Sequence, residues 1–463
     1  MEAMLSPDKI NLLHAFLGAL PPHLANRLAK AVEIDRLAEG KTLPHDLILA
    51  GLRPVLREAS GERTLTPLRL FCLPFEDLLS SEPRKEKQKG RIARESVAVV
   101  WKWLGETLIP EATQAYVKDT RDMTLAVKPG DPKARAQQFW PEASFVIRSA
   151  LTADRDGVQA KLGNLVAADA EEMALLLSAG SQILEIQERL PRLTPSLNDA
   201  LLWALRDSYD RLAASAPDVA AYVAVIAMNR LARPWEALKL PLLISRRTED
   251  TLIASTDMGL AGELLLNDMA MHAEAIRSIR QPWFDSEDLL SHISQFAVLS
   301  SAVVKEVEIR RDGRWGQRLM KDRTGVADAM KNMMEKAPRE ILGALPMQKS
   351  GTYGGGPREP DLSHFPDPEK VERALRYAKL VVGCLNFASA ASFGAAQKTA
   401  AEEIERELQV YGDEIVKEIA TPDLERRARA EQYLSVVADL YGIFFSGEEA
   451  EFMKRRGRAA LAA

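Results

Sequence analysis

A chain of 463 residues is longer than a single hydrophobic core usually organises, so two or more domains are expected. Its composition, 46% hydrophobic and 27% charged, excludes a disordered chain. A net charge of −5 excludes a surface built throughout for nucleic acid but allows a local basic patch.

The opening residues, MEAMLSPDKINLLHAF, carry Glu2 and Asp8 and lack the apolar run of a secretory leader, so a cytoplasmic location is expected. Ser6 before Pro7 starts a helix with Ile10, Leu13, Leu17 and Leu20 on its apolar face. Pro21-Pro22 begins a second helix that runs to Gly40. Thr42-Leu43-Pro44 begins a third with Ile48, Leu52, Val55 and Ala59 inward, which Pro54 should kink or split. The stretch TLTPLRLFCLPFEDLL, residues 64–79, is broken by Pro67 and Pro74 and predicts extended structure or short turns on this N-terminal module, residues 1–80.

A connecting region, 81–140, follows. Glu82 to Arg94, EPRKEKQKGRIAR, is basic and leads into a helix with Val97, Val100, Trp101 and Leu104. A solvated loop feeding a core helix is the plainer reading; contact with nucleic acid or an anionic membrane is the alternative. Lys128 to Lys133, KPGDPK, has the chemistry of a surface turn.

Residues 141–345 read as stacked helical pairs. Pro141 begins a helix with Phe145, Val146 and Ala150, residues 168–190 form another, and Thr194-Pro195-Ser196 opens a third with Leu197, Leu201, Ala204, Leu205 and Leu212 inward. Glu171-Glu172 reads as compensation of a helix dipole. Pro217 and Pro234 start two more helices. Arg230 to Leu240, RLARPWEALKL, resembles the junction between the two helices of a tetratricopeptide-type repeat; the likeness covers one unit, with no second copy near a 34-residue period, and supports helix-pair stacking alone. Leu260, Leu264, Met271, Ala275 and Ile279 share the next face, with His272 beside it as a half-buried residue. Ser286 caps a helix on Leu289, Ile293, Phe296, Val303 and Val307. After RRDGRWG the pattern resumes at Leu319 and runs to Pro338.

This last tract supplies the candidate interaction residues. Arg310, Arg311, Arg314, Arg318, Lys321 and Arg323 surround Trp315, and guanidinium groups with an exposed aromatic could grip phosphate or stack on a base; pairing with acidic neighbours is the plainer reading. Met330, Met333 and Met334 could line a partner groove or fill a core.

Residues 346–368 are rich in Gly and Pro and read as a linker; KSGTYGGG lacks the order of a phosphate-binding loop. Residues 369–463 predict a C-terminal antiparallel bundle: one helix from Pro368 to Ala396 with Val371, Leu375, Ala378, Val382 and Leu385 inward, one on Ile404, Leu408, Tyr411, Ile415 and Ile419, and one starting at Thr421-Pro422-Asp423 with Ala430, Leu434, Val437, Tyr441 and Phe444 inward. The uncharged run 380–396 reads as a buried helix rather than a membrane span, and 454–463 as a frayed tail. Cys72 and Cys384 read as buried thiols in a reducing compartment.

The expectation is an all-α protein: a multi-helix array of stacked pairs followed by a helical bundle. No catalytic, cofactor or metal motif is present in the sequence. The favoured function is a non-enzymatic protein–protein interaction or scaffold protein, with an unidentified protein partner and self-association through the C-terminal helices as a further option. The alternatives are a membrane- or nucleic-acid-associated factor using tracts 84–94 and 310–323, and a helical enzyme whose site is assembled from distant residues.

Overall fold

The computed structural model describes residues 7–37, 44–59, 65–245, 257–280, 283–349 and 358–462. The protein is all-α, with two short strand pairs among the described residues. It divides into two compact units, residues 1–232 and 233–463. The boundary falls inside the stretch that resembles a repeat junction, which here comprises the end of one helix and a 3-10 turn, Pro234–Leu238.

The first unit begins with α1 (Pro7–Gly18), α2 (Pro22–Leu37) and α3 (His45–Ala59). Leu17, Ala25, Leu52 and Val55 form their shared core, and α3 is continuous through Pro54. Where extended structure or short turns were expected, residues 67–78 are helical. Thr66 accepts from the Arg69 backbone N–H, Pro67 occupies the first turn of α4 (Pro67–Cys72), and Pro74 does the same in a 3-10 helix, Leu73–Leu78. Both prolines sit where a missing N–H has no helical partner to lose, so they open helical turns rather than break them. A two-residue parallel pair, β1 (Leu79–Ser80) with β2 (Ile92–Ala93), closes the basic loop between them.

Next come α5 (Arg94–Trp103), α6 (Pro110–Thr124) and α7 (Pro132–Ala153). Pro141 does not start α7 but lies inside it. Asp131, whose carboxylate accepts from the Lys133 N–H at 2.9 Å, and Pro132 already form a complete start signal. As a result the buried face is Ala143, Ser144, Ile147 and Leu151, and Phe145 points outward. The predicted helix 168–190 is two, α9 (Asn164–Ser178) and α10 (Gly180–Arg189), preceded by α8 (Arg155–Leu162). Then follow α11 (Asp199–Ser215), capped by Asn198 rather than by 194–196, α12 (Pro217–Ala220) and α13 (Tyr222–Arg230). The core is aromatic: Tyr116 stacks on Phe139 at 4.3 Å, and Phe71 and Trp101 pack around them. The Trp140 indole N–H donates to the Leu70 carbonyl at 3.2 Å, so α7 is tied to α4 through a fully buried ring.

The second unit contains α14 (Lys239–Ser245), α15 (Leu260–Arg277), α16 (Ser286–Glu306) and α17 (Arg314–Leu342). Asp285, not Ser286, caps α16, accepting from the N–H groups of Glu287 and Asp288. Its predicted face is buried from Leu289 to Val307. α15 buries Leu264, Leu265, Met269, Ala273 and Ile276 and leaves Met271 exposed, one position off the predicted stripe. α17 continues through Pro338 to Leu342, with Pro338 buried.

The expected linker is flanked by an antiparallel pair, β3 (Met347–Lys349) with β4 (Arg358–Pro360), while most of KSGTYGGG lies outside the described residues. The predicted helix 368–396 ends at Gly383. α18 (Pro368–Gly383) and α19 (Gly394–Ile419) are separated by turns, and α18 buries Ala374, Tyr377, Ala378, Leu380 and Val381 rather than Leu385. α20 (Leu424–Phe444) packs on α19 with the predicted faces inward, and the supposed tail is α21 (Gly447–Ala462), which buries Met453 against them. α17 packs on both α18 and α19, so the predicted boundary near 346–368 runs through a single packed body. Among the described residues no helix is long and apolar enough to cross a membrane.

Candidate functional site

The basic tract 84–94 is partly internal: Lys85, Lys89 and Arg94 are exposed, but Arg84 and Lys87 turn inward. It folds over α9, where Asp169 and Glu172, three residues apart, share one helix face. Asp169 is 0% exposed. Arg84 and Lys87 both pair with it, Lys87 at 2.9 Å, and Lys87 pairs with Glu172 as well. The Ala93 N–H donates to Asp169 at 3.2 Å. Glu172 also accepts from the Gly90 N–H and from the Tyr222 hydroxyl, each at 2.6 Å. Gly90 has φ of 85°, a conformation that places its N–H over the carboxylate and that residues with side chains rarely adopt. Arg91 reaches Asn229 at 3.1 Å, so the loop is fastened to both α9 and α13. Burial pushes the Asp169 carboxyl up, but hydrogen bonds from Arg84, Lys87 and Ser96 outweigh it and hold the group below the usual range. Two basic side chains thus face two acidic ones in a single knot.

Glu172 is therefore not a dipole-compensating residue at a helix start. It sits in the second half of α9 with its side chain buried, and nothing local in the sequence distinguishes it from the exposed Glu171, which pairs with Arg155 at 2.7 Å.

A second knot surrounds Arg230. Its guanidinium donates to Asp77 at 2.7 Å, to Glu76 at 3.0 Å, and to the Gln187 and Leu190 carbonyls at the end of α10, both at 3.0 Å. Gln187 in turn donates to the Leu73 carbonyl at 2.8 Å and to Asp77 at 3.0 Å. Arg192 adds a second cation to Asp77 at 3.2 Å and to Glu76 at 3.3 Å.

In the second unit the predicted interaction residues are partly internal. Trp315 is 0% exposed, and its indole N–H donates to Glu263 at 2.7 Å. Gly262 of α15 lies against that ring so closely that a Cβ there would stand 2.1 Å from it. Arg314 and Arg318 pair with the same Glu263 at 3.2 and 2.8 Å, and Arg318 also donates to Asn267. Arg310 pairs with the neighbouring Asp312. Arg311 and Lys321 are exposed and Arg323 is half-buried. Trp315 offers no face to a base, and Met330, Met333 and Met334 lie in the core of α17 rather than along a groove.

His272 and His292 meet between α15 and α16 with their Nδ1 atoms 2.8 Å apart, so one donates and the other accepts. Among the described residues no group of three or more metal-ligating side chains stands together. Cys72 and Cys384 are buried free thiols, each pushed up to about 12 by burial, with Glu76 adding to the effect at Cys72. They are neutral and poorly nucleophilic at ordinary pH.

Several large apolar side chains are also open to solvent. Phe145 is 70% exposed on the outer face of α7, beside a shallow depression of about 620 Å³ lined by Pro141, Arg148, Ser149, Thr152 and Ser178. Leu12 and Phe16, four residues apart on α1, are exposed as well. Compared with known protein families, with characterised proteins and with solved structures, the chain matches none.

Proposed function

We propose that this chain is a protein-interaction or scaffold protein whose contacts are made by outward helix faces. The observation that supports it is a contrast: several cations of the two basic tracts, Arg84, Lys87 and Arg318, are partly buried and paired with carboxylates, whereas a large aromatic, Phe145, is left in water beside a shallow depression. An exposed large apolar side chain next to a concavity is the usual anchor for a partner's segment, because its burial on association is favourable and costs little ordering on a rigid helix. The nucleic-acid and membrane reading is weakened at Arg84, Lys87 and Arg318, each partly buried against a carboxylate partner.

The test is capture of partners by the full chain at low and at high salt, with Phe145→Asp alongside. A discrete protein partner that survives high salt and is lost with Phe145→Asp is the expected result. Recovery of nucleic acid or lipid alone, released by salt, overturns the reading.

A further inference from the structure

Next to the Arg230 knot, the first unit holds a cavity of about 300 Å³ whose wall includes Thr66, Arg69, Cys72, Glu76, Arg94 and Arg192. The charges around it do not balance. Glu76 and Asp77 are both shared between Arg230 and Arg192, two carboxylates for two guanidiniums. Arg69 and Arg94 have no carboxylate partner among the described residues, although both line the cavity. The Cys72 thiol, held neutral by burial, contributes no negative charge. Leu68, Leu79 and Val97 supply an apolar remainder of the wall. Elsewhere in this unit the partly buried arginines Arg84, Arg135 and Arg230 each meet an acid, so the partly buried Arg69, unanswered and sharing its concavity with the exposed Arg94, stands out as a place for a ligand's charge rather than the protein's own.

We propose that this cavity binds a small organic dianion, its oxyanion held by Arg69 and Arg94 and its carbon skeleton set against Leu68, Leu79 and Val97. Guanidinium forks match the planar, paired oxygens of carboxylate and phosphate, and two of them suit a doubly charged group. A volume near 300 Å³ fits a ligand of metabolite size. The inference is independent of the interaction surface at Phe145, which lies on another helix face.

The experiment is calorimetric titration of the full chain at low salt with phenyl phosphate and, separately, with succinate, which distinguishes a phosphate from a dicarboxylate. The expected result is saturable one-to-one binding of at least one probe. Arg69→Gln and Arg94→Gln should each weaken it by about tenfold or more, the range of a lost charge-assisted hydrogen bond, and the double variant should abolish it. Arg155→Gln, which breaks an exposed pair elsewhere, should leave it unchanged. Arg94 is exposed, so Arg94→Gln keeps the fold and carries the test by itself if Arg69→Gln does not fold. Failure of both probes to bind the wild-type chain, or undiminished binding by Arg94→Gln, overturns the proposal.

Discussion

Asp169 in the first unit and Asp322 in the second are both helix carboxylates taken out of water, yet they titrate in opposite directions. Burial raises each. At Asp169 direct hydrogen bonds from Arg84, Lys87 and Ser96 reverse the effect. At Asp322 the nearest cation, Arg277, stands at 3.6 Å and does not, so the carboxyl stays above its ordinary range. The difference reflects how each unit is assembled. In the first, buried charges join segments remote in the chain: Arg84 reaches across 85 residues to Asp169, and Arg230 across 153 to Asp77. In the second, long helices meet mainly through apolar faces such as Ile404 to Ile419, with Glu263 joining α15 to α17, and many of the ion pairs are surface links three or four residues apart. Charge specifies pairing between distant segments more sharply than apolar contact does, because a wrong partner leaves an ion buried and unanswered.

The largest effect that would sharpen this comparison is at the knot. Asp169→Ala leaves Arg84 and Lys87 without their shared acid and should cost ~3–5 kcal/mol, the range for breaking a buried ion pair from one side. Denaturant unfolding with hydrogen exchange read on each unit should place the loss in residues 65–232; an unchanged midpoint would break the comparison. Ile404→Ala in the second unit should cost ~2–5 kcal/mol through lost burial and a residual cavity, with no change in its pH dependence. Gly262→Ala drives a methyl into the Trp315 indole and should cost ~1–3 kcal/mol by overpacking, with a red shift in tryptophan emission as the ring is displaced.

The smallest effect concerns titration. Asp169 has a depressed folded pKa, so its contribution is present above the unfolded carboxyl pKa of about 3.9 and is lost as pH falls through the lower folded value. Asp322 has a raised folded pKa, so the second unit loses stability as pH rises from about 3.9 through that raised value. Asp322→Asn should therefore leave the second unit unchanged in acid and slightly more stable at neutral pH. Destabilisation at neutral pH would show that the Arg277 pair outweighs the desolvation.

Much of the helical fold was legible. The faces of α16, α19 and α20 match their sequence stripes, since an apolar face turned toward a core must recur with the helical period. Proline was the less reliable mark. Pro7 and Pro217 stand at helix starts, but Pro141 and Pro338 lie within helices whose neighbours on both sides are packed, so tertiary burial outweighs the lost hydrogen bond. At the candidate sites Arg314 and Arg318 were visible as charges, but not their common partner Glu263, 51 and 55 positions away in the chain.

By itself, then, the sequence determined that the chain is helical and where several apolar faces lie, because cap and period signals act over three to seven residues. Only the tertiary structure decided which charged residues are buried. Glu171 and Glu172 are identical neighbours in the sequence; one faces water, and the other closes over Lys87, Gly90 and Tyr222, because the helix turns by 100° between them and the partners arrive from distant parts of the chain.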